Sequence, residues 1–134
     1  MTYLGGGTND ADAFTFVGNQ VMSQNHGARG DVPRIAVMIT DGGSANSQAA
    51  IAAAQKLGQQ NVGILAVGVG SQVNHAELNN IVDAPSSQNA FYVNAYDNLD
   101  SITNNLLTQM CKGRKNCVLY NVFLETIIDI FQSI

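Results

Sequence analysis

The chain has 134 residues, 46% of them apolar, a formal charge of -4 and a pI near 4.7. That length allows one modest core and leaves no room for a second domain. Six Lys and Arg against ten Asp and Glu exclude a nucleic-acid surface, because phosphate binding needs a basic field. The two cysteines, Cys111 and Cys117, are too few for a disulfide framework and do not form a CxxC metal motif. No basic segment followed by an apolar run stands behind Met1, so no secretory signal is visible. Either the protein is cytosolic or the chain lacks its true beginning.

In chain order, Gly5-Gly6-Gly7 opens a loop, and residues 8–10, Thr-Asn-Asp, read as a cap region. From 11 to 22 the spacing of Ala13, Phe14, Val17 and Val21 predicts an amphipathic helix. Residues 23–33 form a polar connection containing Arg29-Gly30-Asp31, a tripeptide many integrins bind. At a loop leading straight into a strand, its charges read first as solvated residues.

Residues 35–44, Ile-Ala-Val-Met-Ile-Thr-Asp-Gly-Gly-Ser, organise the rest. Five consecutive apolar residues closed by a turn signal predict a parallel strand buried on both faces. Asp41 then stands at its carboxyl end, where open α/β sheets bind ligands, and Gly42-Gly43 lets the backbone turn there. A helix over 44–57 buries Ile51, Ala54 and Leu57, with Gly58 as its stop. The apolar run 62–69 is a second parallel strand, completing a βαβ unit. A loop over 70–74 precedes a short helix over 76–82 with Leu78, Ile81 and Val82 inward; residues 83–87 around Pro85 break it. A third strand at 90–93 leads to a closing helix with Leu99, Ile102, Leu106 and Met110 on one face, ending near Cys111.

Glycine loops that could hold a nucleotide fail the test of spacing. Gly68-Val69-Gly70 lacks the third glycine because position 73 is Val, and Gly5-Gly6-Gly7-Thr8 lacks the lysine of a phosphate loop. No Gly-x-Ser-x-Gly is present, and His26 and His75 have no triad or ligand partner at recognisable spacing. Enzyme activity is therefore not expected.

Residues 4–9 (Leu-Gly-Gly-Gly-Thr-Asn), the helix after them, 32–42 (Val-Pro-Arg-Ile-Ala-Val-Met-Ile-Thr-Asp-Gly), 63–70 (Gly-Ile-Leu-Ala-Val-Gly-Val-Gly), Glu77-Leu78 and a closing helix with a cysteine appear in a specific order. That order resembles the von Willebrand factor type A domain, most of all the copies in matrilins and in type VI and related collagens. The resemblance spans residues 2–112. It implies a doubly wound, mainly parallel α/β sheet with flanking helices. It also implies protein binding in adhesion and extracellular matrix, hence an extracellular, secreted location with matrix proteins or collagen as partners. A non-adhesive intracellular scaffold and a non-functional fragment are the rival readings.

The resemblance places a metal-ion-dependent adhesion site at Thr8 and Asp41, which match the family's second and third ligand segments. Gly7, Gly42, Gly43 and Ser44 lie beside them as binding residues. Such a site holds Mg²⁺, or Mn²⁺ or Ca²⁺, through oxygen ligands and takes an acidic group of a partner at an open position. In isolation, Asp41 would read as a turn cap and Thr8 as a helix cap. The family's first ligand segment, Asp-x-Ser-x-Ser, has no counterpart: residues 83–87 have the wrong spacing and lie in the wrong loop. Two oxygens are too few to hold Mg²⁺ against its hydration shell, so metal binding is expected to be weak or absent. The chain begins where the family's third strand ends, so the first three strands are expected to be missing. The strand ending in Asp41 then becomes an exposed edge through which chains associate.

Residues 113–134 lie outside the resemblance. They comprise a basic junction and an apolar tail, interrupted by Glu125 and Asp129 and too short to span a membrane. The tail reads as a helix packed on exposed apolar surface, an interfacial helix or an unnatural end. The family's cysteine partner for Cys111 is absent, leaving Cys111 free or bonded to Cys117.

Overall fold

The computed structural model describes residues 9–30 and 32–112. Their core is a three-stranded parallel sheet in the order β1 (Arg34–Thr40), β2 (Val62–Val69), β3 (Ala90–Val93). β1 runs alongside β2 from Arg34 opposite Val62 to Thr40 opposite Gly68, and β3 pairs with the last four residues of β2. Five α-helices flank the sheet: α1 (Asp10–Phe16), α2 (Ser47–Gly58), α3 (His75–Ile81), α4 (Ser86–Asn89) and α5 (Asp100–Cys111).

Each face of the sheet has its own core. On one, Phe14 of α1, Ala50, Ala54 and Leu57 of α2, and Leu78 and Ile81 of α3 pack on Val62, Ile64 and Ala66. On the other, Leu106 and Met110 of α5 pack on Leu65, Val67, Val69 and Val93. Alternation along β2 sends its side chains to both cores, so the whole strand except Gly63 is buried. The sheet is thus doubly wound, as expected.

β1 differs. Ala36 and Met38 lean on the first core and Ile35, Val37 and Ile39 on the second, yet all five are only half-buried. Among the described residues no strand pairs with the other side of β1. Its start is clamped by the Arg34 guanidinium, which donates to the carbonyls of Met22 at 2.9 Å and Gln60 at 2.6 Å. Full burial on both faces is therefore corrected to half burial, and the exposed edge is what the described sheet presents.

The first helix also departs from the periodic reading. After Phe16 the backbone widens into a π-helical turn over Val17–Val21. Val21, at the end of this turn, is 51% exposed instead of lying on the inward stripe. Within α1, Ala13 also faces solvent while Phe14 is buried. Gly18 in this turn is approached by the end of the Gln60 side chain and by Leu57, which a Cβ would displace. α2 starts at Ser47 and contains Gly58, against a predicted start at 44 and a stop at 58. Asn46 is the cap, its side chain accepting from the Ala49 amide at 3.1 Å, which leaves Ser44 in the loop. α4 is an element that periodicity did not predict. Of Arg29-Gly30-Asp31, Arg29 and Gly30 are exposed and Asp31 lies outside the described residues. So do Gly5, Gly6, Gly7, Thr8 and the tail over 113–134.

Candidate functional site

Parallel strands deliver their carboxyl ends to one side of the sheet, and three loops meet there. The first comes after β1. Thr40, buried at its end, holds the turn through its hydroxyl, which accepts from the Gly42 amide and donates to the Gly42 carbonyl, both at 3.3 Å. The second comes after β2, where Gly70 takes a left-handed φ of 88° that a side chain would resist, and donates its amide to Val93 at 2.8 Å. The third, after β3, carries Tyr96.

Asp41 is exposed, and among the described residues nothing hydrogen-bonds its carboxylate. Its charge is felt by Tyr96: partial burial, and then the negative charge of Asp41, raise the Tyr96 hydroxyl above the usual tyrosine value. Gly42 and Gly43 make the turn. A Cβ on Gly42 would meet nothing within 4 Å, whereas one on Gly43 would sit 3.3 Å from Asn74.

Ser44 is the hub. Its amide donates to both carboxylate oxygens of Glu77, at 3.2 and 3.3 Å. Its hydroxyl lies in hydrogen-bond contact with Glu77 Oε1 and with Asp10 Oδ2. Glu77 is only 3% exposed and also accepts from the Ser47 hydroxyl at 2.6 Å and the Asn74 amide group at 3.4 Å. A buried carboxylate needs such donors, and four groups supply them here. The single proton of the Ser44 hydroxyl cannot serve two carboxylates at once, so the pair retains acceptor capacity toward a further donor or cation.

The structure therefore brings Ser44 together with Asp10 and Glu77, two acids that the sequence reading did not place in the site. Asp10 comes from the first turn of α1, which Asn9 caps by accepting from the Asp12 amide. Glu77 sits three residues into α3 after its cap Asn74, whose side chain accepts from the Glu77 amide at 3.1 Å. Asn74-x-x-Glu77 is a capping-box pattern, and Ser44-x-x-Ser47 presents two hydroxyls in register. Those were the only local signals; the contacts themselves bridge more than thirty residues of chain. Thr8 and Gly7 lie outside the described residues.

All the donors are oxygens, as Mg²⁺ requires, but no group of three or more His, Cys, Asp or Glu among the described residues is arranged to hold a metal ion. Glu77 is committed to Ser44, Ser47 and Asn74, and Asp41 stands apart. Both histidines are exposed: His26 bonds to the Ser23 hydroxyl at 2.8 Å, and His75 stacks on Tyr92 with centroids 4.1 Å apart. Cys111 is disulfide-bonded, which removes the free-thiol alternative.

A family model described as von Willebrand factor type A domain matches residues 1–105. Among curated proteins, the collagen alpha-6(VI) chain of Mus musculus is 36% identical over 118 residues, covering 87% of this chain and 5% of the collagen. Matrilin-1 of Gallus gallus is 29% identical over 139 residues, covering 99% of this chain and 27% of the matrilin. The chain thus spans a small part of the curated relatives' length. Among solved structures, proximal thread matrix protein 1 of the mussel byssus, with a zinc-occupied MIDAS motif, superposes with a TM-score of 0.76 at 23% identity. That match covers 83% of this chain and 28% of the mussel protein.

Proposed function

Because the chain belongs to the von Willebrand factor type A domain family, we propose that it is a protein-binding, adhesion-type module of an extracellular matrix protein. Its binding face is the carboxyl end of the sheet. The observation that carries this reading is the meeting of the loop after β1 with the start of α1 through Ser44 and Asp10. Asp41 is three residues before Ser44 and Thr8 two residues before Asp10, so the contact favours the pairing of Thr8 and Asp41 that the family site requires. Residues 2–112 are taken as the carboxyl-terminal portion of the domain and 113–134 as a tail outside it.

The matrix collagens and matrilins among the relatives support collagen or another matrix protein as partner and an extracellular location. The disulfide at Cys111 agrees, since such bonds persist in oxidising compartments, and this favours the secreted reading over an intracellular scaffold. No helix among the described residues is long and apolar enough to cross a membrane. The module has no catalytic role in this reading.

The zinc-occupied MIDAS motif named for the mussel protein is the support for a divalent cation as the site's ion. Such an ion supplies positive charge for an acidic group of the partner. In this chain Thr8 and Asp41 are the residues that match, and Ser44, three residues after Asp41, has its hydroxyl turned to Asp10 and Glu77. Two oxygens hold a hydrated ion poorly, so Mg²⁺ and Mn²⁺ bind this chain weakly or not at all; calorimetry giving a low-micromolar Kd contradicts that. The function is tested by binding the full chain to immobilised collagen and matrilin. Asp41→Ala is expected to weaken binding at least five-fold while Lys56→Ala on α2 leaves it unchanged. Equal binding by wild type and Asp41→Ala, or no binding to either surface, overturns the reading.

A further inference from the structure

We propose that Asp41 and Tyr96 together seat an arginine side chain of the partner, resting on the adhesion reading that puts the binding face at the carboxyl end of the sheet. Asp41 is exposed, and no hydrogen bond or ion pair engages its carboxylate among the described residues. A Cβ on the next residue, Gly42, would meet nothing within 4 Å, so the space beside the acid is open. Tyr96 is 37% exposed on the loop after β3. The other large apolar side chains exposed among the described residues, Phe16 and Val21, lie along the first helix and its π-helical end, away from this face.

The sheet register brings the acid and the ring to one end. Thr40 of β1, Gly68 of β2 and Tyr92 of β3 form one row across the sheet. Asp41 follows Thr40 directly, and Tyr96 opens the turn Tyr96–Asn98, four residues after Tyr92. β1 and β3 are two strand spacings apart, about 10 Å. Gly70, which follows β2 between them, adds no side chain to that interval. The influence of Asp41 on the Tyr96 hydroxyl, second to that of burial, acts across it.

A guanidinium suits this pair. Its planar fork gives a carboxylate two N–H donors while its face lies on an aromatic ring. A divalent cation asks for more oxygens than Thr8 and Asp41 offer. The surrounding charge favours the same sign of partner group. Asp10, Asp12, Asp97 and Asp100 share this end with Asp41 and Glu77. The described bases stand at the other end: Arg29 and Arg34 before and at the start of β1, Lys56 in the last turn of α2, and Lys112 bonded to Gln88 just before β3. An acidic group approaching the carboxyl end is repelled and a basic one is drawn in.

The test titrates the full chain, in EDTA, with acetyl-Gly-Arg-Gly-amide and follows the Asp41 and Gly42 amides and the Tyr96 ring by NMR. These signals are expected to shift together and to saturate. Asp41→Asn should weaken the Kd about five-fold. Tyr96→Leu should weaken it about three-fold, and Tyr96→Phe, which keeps the ring, by less than Tyr96→Leu does. The peptide with citrulline in place of arginine, uncharged and of the same shape, should bind about five-fold more weakly. Amide protection of β2 should be unchanged in every variant. Absence of shifts, an equal response to citrulline, a Kd indifferent to Asp41→Asn or to Tyr96→Leu, or a response that requires Mg²⁺ in place of EDTA overturns the proposal. The two readings fail separately: an unresponsive peptide overturns the arginine seat whatever collagen does, and the adhesion reading falls on the collagen and matrilin surfaces.

Discussion

β1 and β2 lie side by side, run in the same direction, and are both written almost entirely in apolar residues. They nevertheless have different environments. Seven of the eight residues of β2 are buried, and Ile64 and Val67 are 1% exposed; the five central residues of β1 are all half-buried. The difference lies in their places in the sheet. β2 has a strand on each side and helices over both faces, so its apolar residues anchor both cores. β1 has one partner strand among the described residues, and the exposed Asp41 follows its carboxyl end. Local sequence does not distinguish the two environments.

Paired substitutions break this comparison most forcefully. Ile64→Ala empties a fully packed position and should cost about 3–4 kcal/mol by chemical denaturation, whereas Ile35→Ala should cost about half that. Equal losses would mean that β1 is as buried as β2 in solution. Next, Glu77→Ala leaves the Ser44 amide and the Ser47 hydroxyl without their acceptor, while the Ser44 hydroxyl keeps Asp10, and should cost about 2–3 kcal/mol.

Glycines at the two strand ends sharpen the contrast. A Cβ at Gly68 would stand 2.7 Å from Val73 and 3.0 Å from Tyr92, so Gly68→Ala should cost about 1–3 kcal/mol. Gly42→Ala meets open space and should stay within about 0.5 kcal/mol of wild type. The smallest effect concerns Tyr96. Burial and then Asp41 raise its pKa, so Asp41→Asn should move the tyrosinate absorbance transition down toward, but not below, the ordinary value near 10. A hydroxyl held protonated by the fold stabilises it below pH 10, and that contribution is lost as pH rises through the raised folded value. Asp41→Asn should therefore soften the alkaline loss of stability.

How much of this was legible depended on the range of the signal. β2 and α5 were readable because a continuous apolar run and the stripe Leu99, Ile102, Leu106, Met110 are local patterns that packing reinforces. The end of α1 was not, since a π-helical turn changes the residue count per turn without changing the composition, and Val21 rotates outward. α4 escaped because Ser-Ser-Gln-Asn has no apolar period. At the site, the position of Asp41 could be inferred from the strand that ends there. The grouping of Asp10, Ser44 and Glu77 could not, because it depends on separate loops meeting at one end of the sheet.

Amide hydrogen exchange on the full chain, resolved by residue, tests the division between the two strands most directly. The amides of β2 should exchange only through global unfolding, while the alternate amides of β1 that point away from β2 should exchange at least a hundred-fold faster. Uniform protection along both strands would contradict the account, because it would mean that β1 is anchored on both sides and that Asp41 is presented from the interior of the sheet.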